Sequence, residues 1–332
     1  MRKIGWALAL LPLWAAADEP VTLENFVRAE TDTAFRTSLA RVEGKFGQFV
    51  HFREPASVDH QPVIRQNRDT LYSGVVLDLS SPVELTVPDA DGRYMSVHVI
   101  NQDHYMFVIT QPGVHTLTEE NVGTRFTQLI VRTFADPNDE ADVQAANKAQ
   151  DGLAVTGGGA GPYDAPDWNQ EDLLKARQAL NELATLGFSS TRAFGSKDQV
   201  DPVDYLVGAA AGWGGLPNYA AHYELDSVEL NDGKTLHALT AKDVPVGAFW
   251  SVTVYNADGY MEANERDVYS FNGVTATPNE DGSHTVHFGG CDDGRVNCIP
   301  ITPGWNYAIR MYEPSEAIQT GQWLFPRPEP VQ

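Results

Sequence analysis

Cysteine is scarce in this 332-residue chain, which contains only Cys291 and Cys298, within the segment CDDGRVNC. A metal site needs more ligands at defined spacing, and none accompany this pair. In an oxidising compartment, two cysteines so close together are typical of a local disulfide that closes a hairpin loop; a redox pair is the alternative. Such a small ring stabilises a fold by about 2–3 kcal/mol. We therefore predict a Cys291–Cys298 disulfide and no metal site.

Basic residues are also few. The chain has 23 Lys and Arg against 45 Asp and Glu, a formal net charge of −22. A surface this acidic repels phosphate backbones and anionic lipids, which argues against nucleic acid and membrane surfaces as partners. We interpret the charge as a means of solubility.

Long apolar runs are absent after the first 17 residues. Arg2 and Lys3 precede the short apolar stretch 4–14, and three alanines then precede Asp18. Charge, length and small residues together predict a signal peptide over residues 1–17, with an anchor or a buried helix as the alternative. We expect a periplasmic or secreted protein without membrane insertion after signal removal.

Several motifs of known chemistry are missing. The chain has no His-Glu-x-x-His, no Gly-x-Ser-x-Gly, no Walker loop and no dinucleotide fingerprint. The glycine-rich stretch 157–162 is not followed by Gly-Lys-Ser/Thr, so it predicts a flexible loop and no phosphate cradle. The Asp-Gly pairs do not fit a calcium-binding frame and indicate turns. No cofactor is therefore predicted.

Strand patterns are abundant, and the clearest is FWSVTVYNADGY, residues 249–260. Phe249, Ser251, Thr253 and Tyr255 alternate with Trp250, Val252 and Val254. Because both faces hold large apolar groups, the pattern favours a central strand of a sandwich. Asn256 to Gly259 then predicts a turn.

The remaining patterns divide the mature chain into three parts. A helical stripe over residues 21–51 and strands over residues 64–134 predict a mixed helix and β domain, residues 18–135. Helices starting after Asn138, Asn169 and Asp201 predict a helical connecting segment, residues 136–212. Further strands, with 228–230 among them, predict an antiparallel, jelly-roll-like β-sandwich over residues 213–330. The fold class is thus α+β, mainly β.

The best candidate site is the stretch RQNRDTLYS, residues 65–73. It places two cations, a carboxylate, an amide and three hydroxyls beside an apolar strand. Such a density of polar groups costs desolvation unless the groups pair with one another or meet a polar ligand. A ligand-binding floor and a buried structural network both fit this pattern.

Two stretches resemble protein families. NRDTLYSGVVLDLSSPVELTVPDADGRYMSVHVI resembles the domain of unknown function 1254. Residues 244–290 and 298–323 resemble the domain of unknown function 1214. The resemblance implies an exported β-rich protein with a jelly-roll-like C-terminal half, and no settled activity. The signature positions that it implies are Asn67, Asp69, Thr70, Tyr72, Trp250, Ser251, Tyr255 and Arg310.

These observations lead to three hypotheses on function. The first is binding of a polyhydroxylated or carbohydrate-like ligand in the cell envelope, because amides, carboxylates and aromatic side chains with polar tips suit saccharides. The second is a hydrolase in which Asp69 acts with His104 or with an activated Ser73. The third is a structural envelope protein. The oligomeric state stays open, a homo-oligomer included. The predicted ligand-binding residues are Asn67, Arg68, Asp69, Thr70, Tyr72, Trp250, Tyr255 and Arg310.

Overall fold

The two β-rich segments each form a pair of packed sheets in a computed structural model, which describes residues 18–61 and 63–331. The predicted signal peptide lies outside the described residues. The fold is α+β and mainly β, as predicted. None of the helices within the described ranges has the length and apolarity needed to cross a membrane.

The N-terminal sandwich packs a five-stranded sheet on a three-stranded one, in the orders β1-β2-β7-β4-β5 and β6-β3-β8. Its strands are β1 (Val50–His51), β2 (Thr70–Asp78), β3 (Val83–Val87), β4 (Met95–Asn101), β5 (Met106–Ile109), β6 (Gly113–Leu117), β7 (Phe126–Phe134) and β8 (Ala154–Gly157). Buried aliphatic side chains, among them Val75, Leu85, Val97 and Leu129, fill the space between the sheets. Strand β8 lies in the segment predicted to be helical, so this sandwich extends past residue 135.

The described residues form seven α-helices, and the first of them packs on the other face of the five-stranded sheet. The helices are α1 (Phe26–Ala40), α2 (Glu119–Val122), α3 (Glu140–Asp151), α4 (Gln170–Ala184), α5 (Ser190–Ala193), α6 (Pro202–Ala211) and α7 (Glu316–Gln319). Asn169 and Asp201 cap α4 and α6 as predicted, whereas Asp139 and not Asn138 caps α3. Helix α1 is shorter than predicted, because Gly44 and Gly47 take positive φ angles that favour turns.

The C-terminal sandwich packs two four-stranded sheets, in the orders β12-β11-β15-β9 and β14-β13-β10-β16. Its strands are β9 (Ala221–Ser227), β10 (His237–Ala241), β11 (Trp250–Tyr255), β12 (Ser270–Asn272), β13 (His284–Phe288), β14 (Cys298–Ile299), β15 (Asn306–Tyr312) and β16 (Glu329–Pro330). All pairs are antiparallel except β13 with β14. Residues 228–230, predicted as a strand, form a turn after β9.

The two cysteines form the predicted disulfide. Cys291 and Cys298 are bonded, with their Cα atoms 5.4 Å apart. Cys291 opens a 3₁₀ helix (Cys291–Asp293) and Cys298 begins β14, so the bond closes the loop that separates β13 from its parallel neighbour. The disulfide thereby holds β14, the edge strand of this sheet, in place.

Candidate functional site

Strand β11 shows how a polar face of the C-terminal sandwich comes to lie against the N-terminal half. It is an interior strand, paired with β12 and β15. Trp250, Val252 and Val254 point into the sandwich core. Because strand side chains alternate, Ser251, Thr253 and Tyr255 point the other way, toward residues 65–70. We call the contact between the two halves the seam.

Arg310 organises the C-terminal side of the seam. It lies on β15, opposite Ser251 of β11, and is 5% exposed. Its guanidinium donates to the Thr253 hydroxyl at 3.0 Å and to the Arg65 carbonyl and the Tyr255 hydroxyl at 2.7 Å each. The Tyr255 hydroxyl in turn donates to the carbonyl of Gln66 at 2.8 Å. This network is a short, well-paired link between the halves.

Asp69 lies fully buried at the same seam. Its Oδ1 atom accepts from Asn272 Nδ2 at 3.2 Å and from the Ser270 hydroxyl at 3.4 Å, while Oδ2 has no partner. Burial raises the pKa of this carboxyl, and Arg310 opposes that shift only in part. Asp69 is therefore a structural anchor between β2 and β12, closed to any substrate.

The five-stranded sheet contributes the N-terminal side of the seam. Cross-strand register places Tyr72, Arg132 and Ser96 in one row of β2, β7 and β4. On the same face, two residues along, lie Ile130 and His98, and further along lies Gln128. This face is polar although it is buried, and it is the opposite of the aliphatic face described above.

Arg132 is poorly paired in comparison with Arg310. It is 8% exposed and makes two long hydrogen bonds of 3.4 Å, to His98 Nδ1 and to the Gly214 carbonyl. Its guanidinium carbon lies 5.6 Å from the centre of the Tyr72 ring. Burial is the largest influence on the pKa of Tyr72 and raises it, but Arg132, Asn67, Thr70 and Arg310 together outweigh burial and lower that pKa overall.

Two buried histidines flank this face. His98 accepts from Arg132 through Nδ1, and burial and the same arginine hold its pKa well below the usual value. His104 stacks on Trp213, accepts from the Gly214 N–H through Nε2, and has its pKa lowered to about 3 by burial. Both rings are thus neutral at physiological pH.

A cavity of about 550 Å³ opens beside the polar face of the N-terminal sheet. Its floor is the part of β2 and β7 that carries Tyr72, Gly74, Val76, Gln128 and Ile130. Its rim comes from the end of α1 and from the loop 52–60. We call it the Gln128 cavity. Its rim residues include Arg41, Phe52, Glu54, His60 and Gln66.

Two carboxamides at this cavity have unsatisfied oxygens. The Oε1 atoms of Gln128 and Gln66 are buried and have no hydrogen-bond partner. Gln128 is 7% exposed and lies between Val76 and Ile100 in the register of the sheet. A buried carbonyl without a donor costs about 1–3 kcal/mol, so this wall is under-satisfied.

A second cavity, of about 560 Å³, lies at the seam itself. Tyr94, Phe134 and Phe249 form its aromatic part, and Asp89, Asp91, Asp142 and Glu313 its acidic part. Arg93 neutralises Asp142 through two hydrogen bonds of 2.6 and 2.9 Å. None of residues 65–73 lines it.

The three residues of the predicted hydrolase have different neighbours. Asp69 contacts Ser270 and Asn272, and His104 contacts Trp213. The Ser73 hydroxyl lies 2.8 Å from Nδ1 of His51 and accepts from Gln150 at 3.1 Å. Ser73 is also among the residues that line the Gln128 cavity, but because strand side chains alternate, its hydroxyl lies on the opposite face of β2 from Tyr72.

The other predicted ligand-binding residues also separate into groups. Asn67 donates to the hydroxyls of Thr70 and Tyr312 at 3.0 and 3.2 Å, within the seam. Trp250 is packed in the sandwich core, on the far face of β11 from Tyr255. Arg68 lies 5.1 Å over the ring of Tyr269 in a separate surface pocket. Among the predicted ligand-binding residues, Tyr72 is the one that lines the floor of the Gln128 cavity.

Sequence reasoning missed Arg132 and Gln128. Both lie in the otherwise apolar run FTQLIVRTF of β7. A charge and an amide on the same face of a buried strand were the available signal, because such groups need partners. Arg132 and Gln128 are four residues apart, which puts them on one face by alternation.

Comparison with known proteins gives matches to two domain families and no activity. The model of DUF1254, a protein family of unknown function, matches residues 46–107, and that of DUF1214, also of unknown function, matches residues 218–316. No curated protein matches the chain.

Two crystal structures have the same fold. The VPA0106 protein from Vibrio parahaemolyticus is 20% identical, with a TM-score of 0.70 over 93% of this chain and 98% of the other. A putative uncharacterised protein from Burkholderia cenocepacia is 18% identical, with a TM-score of 0.53 over 93% and 87%. The resemblance found in the sequence is confirmed: the chain carries a DUF1254 segment in its N-terminal half and a DUF1214 segment in its C-terminal half.

Proposed function

We propose that the protein binds a small hydroxyl-rich molecule of the carbohydrate-like class in the Gln128 cavity. The observation that carries this proposal is the buried, unpartnered Oε1 atom of Gln128 at the wall of an open cavity. A ligand hydroxyl is a donor that would satisfy it. The volume of about 550 Å³ is in the range of small-molecule sites, roughly 300–1,000 Å³.

The wall needs little rearrangement to accept such a donor. The terminal torsion of a glutamine side chain is broad, so the carboxamide turns at low cost. Gln66 offers a second unpartnered carbonyl oxygen at the rim of the same cavity. Two acceptors in one cavity suit a ligand with several hydroxyl groups.

An exposed ring at the rim fits the same class of ligand. Phe52 is 46% exposed, lines the cavity, and has the guanidinium carbon of Arg41 5.5 Å from its ring centre. Aromatic faces stack on the apolar faces of sugar rings. Phe52 therefore offers the apolar contact and the glutamines the polar ones.

Calorimetric titration with neutral and acidic sugars and polyols tests the proposal. Gln128→Leu keeps the approximate size of the side chain and removes the acceptor, so we expect binding to weaken by tenfold or more without loss of stability. Gln111→Leu makes the same change on the exposed surface and serves as the control. Unchanged affinity in Gln128→Leu would contradict the proposal.

Gly74 allows the cavity to be filled from its floor. A Cβ atom there would meet nothing closer than the Leu129 carbonyl at 4.0 Å, and β-branched residues favour strands. We expect Gly74→Val to keep or raise the melting temperature and to abolish binding. A variant that binds as tightly as the wild type would show that the ligand lies elsewhere.

We further propose that the protein is exported to the periplasm or secreted. The signal-like residues 1–17 and the Cys291–Cys298 disulfide support this. Mass spectrometry of the protein from fractionated cells is expected to find a mature chain that starts at Asp18. An intact N-terminus in the cytosolic fraction alone would contradict export.

A further inference from the structure

The polar faces at the seam hold two buried guanidiniums without a matching carboxylate. Arg132 and Arg310 are 8% and 5% exposed. Among the described residues, neither has a carboxylate oxygen within salt-bridge distance. A buried charge of one sign is costly unless an opposite charge approaches it. The seam is therefore short of negative charge.

Asp69 does not make up the deficit. It is the buried carboxyl that Arg310 influences, but burial raises its pKa and so favours its neutral form. Its hydrogen bonds come from Asn272 and Ser270, which are neutral donors. The two arginines thus have only uncharged hydrogen-bond partners: two hydroxyl groups, two carbonyls and the ring of His98.

The phenols show where the positive potential is greatest. Tyr72, Tyr94, Tyr223 and Tyr312 surround Arg132. Burial raises the pKa of the last three, whereas at Tyr72 the charge of Arg132, 5.6 Å from its guanidinium carbon to the ring centre, acts with Asn67, Thr70 and Arg310 to lower the pKa in spite of burial. Tyr72 is also the member of the set that forms the floor of the Gln128 cavity.

The cavity itself does not cancel this potential. Among its lining residues Arg41 carries a positive charge at the rim and Glu54 a negative one, and His60 is exposed. These charges balance, so Arg132, 5.6 Å from the Tyr72 ring centre, dominates the part of the floor that Tyr72 forms. In a chain with a formal charge of −22, this is a local region of positive potential.

We infer that the ligand of the Gln128 cavity is a hydroxyl-rich carboxylate, a sugar acid rather than a neutral sugar, and that its acidic group lies at the Tyr72 end. This inference rests on the proposed function. The glutamines hold hydroxyl groups at the rim and on the floor of the cavity, and buried Arg132 favours a negative charge next to Tyr72.

A matched series of ligands separates this inference from the proposed function. Glucose, glucuronate and glucosamine share one ring and differ in charge. In calorimetric titrations at pH 7, we expect glucuronate to bind about tenfold or more tightly than glucose, and glucosamine to bind most weakly. Equal affinities for glucose and glucuronate would overturn the inference and leave the proposed function intact. Binding of none of the three would contradict the proposed function itself.

The source of the preference is tested with Arg132→Met. It should remove the difference between glucuronate and glucose and leave the affinity for glucose unchanged. Arg327→Met, at an exposed arginine of the C-terminal half, is the control and should keep the difference. A preference that survives Arg132→Met would assign it to another charge and overturn the inference.

A measurement without a disruptive variant covers the case in which Arg132→Met does not fold. Tyrosine ionisation is followed by ultraviolet difference spectroscopy, in wild type and in Tyr72→Phe. One phenol should titrate below the ordinary tyrosine range and should be missing in Tyr72→Phe. A titration curve that Tyr72→Phe leaves unchanged would show that Tyr72 feels no positive potential, against the inference.

Discussion

Two sheets meet at the seam, and each presents a buried polar face to it, but the two faces differ in how well their arginines are paired, although the C-terminal face also has an unpartnered hydroxyl, that of Ser251. On the C-terminal face, Arg310 has three acceptors at 2.7–3.0 Å. On the N-terminal face, Arg132 has two at 3.4 Å, and Gln128 Oε1 has none. Only the N-terminal face has the Gln128 cavity beside it.

The difference separates structure from function. A buried polar network in which each donor has a close acceptor stabilises a unique packing and needs nothing else. A buried polar face with long hydrogen bonds and unpartnered atoms has donors and acceptors to which a ligand can bond. Residues that look alike in the sequence, such as Arg310 and Arg132, therefore have different roles.

The largest change in stability that we predict from this difference is in a variant of Arg310. Arg310→Met leaves the Thr253 hydroxyl, the Tyr255 hydroxyl and the Arg65 carbonyl without their donor in a buried site. At about 1–3 kcal/mol for each unsatisfied group, with partial relaxation, we expect a loss of about 3–5 kcal/mol in the free energy of unfolding. Denaturation with urea measures it.

Arg132→Met is the matched partner of that experiment. Its long hydrogen bonds contribute little, and removing an unmatched charge relieves a desolvation cost, so we expect a loss below about 1 kcal/mol. Equal losses in the two variants would mean that the two faces are equally well paired, and the distinction between them would fail.

Most of the architecture followed from local patterns. The alternation in residues 249–255 identified β11, and Asn169 and Asp201 identified the starts of α4 and α6. These signals are local, because strand alternation and helix capping act within a few residues. Strand β8 escaped prediction because its pairing with β3 is a long-range choice.

The candidate site was only partly accessible to the same reasoning. The stretch 65–73 was recognised as polar, and Tyr72 and Ser73 both line the cavity, but alternation points their hydroxyls to opposite faces of β2. The partners that decide the chemistry, Arg132 and Gln128, come from a strand some sixty residues further along. Their proximity depends on sheet register, which no local pattern fixes.

The second prediction uses pH to probe the N-terminal face. Burial lowers the pKa of His104 to about 3. A depressed pKa contributes stability that is present above the unfolded value of about 6.5 and is lost as pH falls toward the folded value. His104→Asn removes this contribution. The stability advantage of the wild type over His104→Asn should shrink by about 1.4 kcal/mol per pH unit, or about 3 kcal/mol from pH 6 to pH 4.

Urea denaturation of both proteins at several pH values measures this difference. His98, whose pKa is also lowered, contributes a slope of the same sign in both proteins. The raised pKa of Asp69 contributes one of opposite sign, lost as pH rises. Because His98 and Asp69 are present in both proteins, their contributions largely cancel in the stability difference between wild type and His104→Asn. Gln111→Leu, which changes an exposed residue that does not titrate, should run parallel to the wild type. If His104→Asn also runs parallel, His104 does not titrate as a buried group.

The smallest effect distinguishes two phenols, one on each face. The Tyr255 hydroxyl accepts from Arg310 at 2.7 Å and donates to the Gln66 carbonyl at 2.8 Å, so Tyr255→Phe should cost about 1–3 kcal/mol. The Tyr72 hydroxyl accepts from Asn67 at 3.5 Å, a distance at which a hydrogen bond is weak, so Tyr72→Phe should cost less than about 0.5 kcal/mol. Both substitutions remove one oxygen and leave the ring, so the difference in unfolding free energy reports pairing alone. A larger loss in Tyr72→Phe would show that its hydroxyl is already engaged, and the N-terminal face would then have less capacity to offer a ligand.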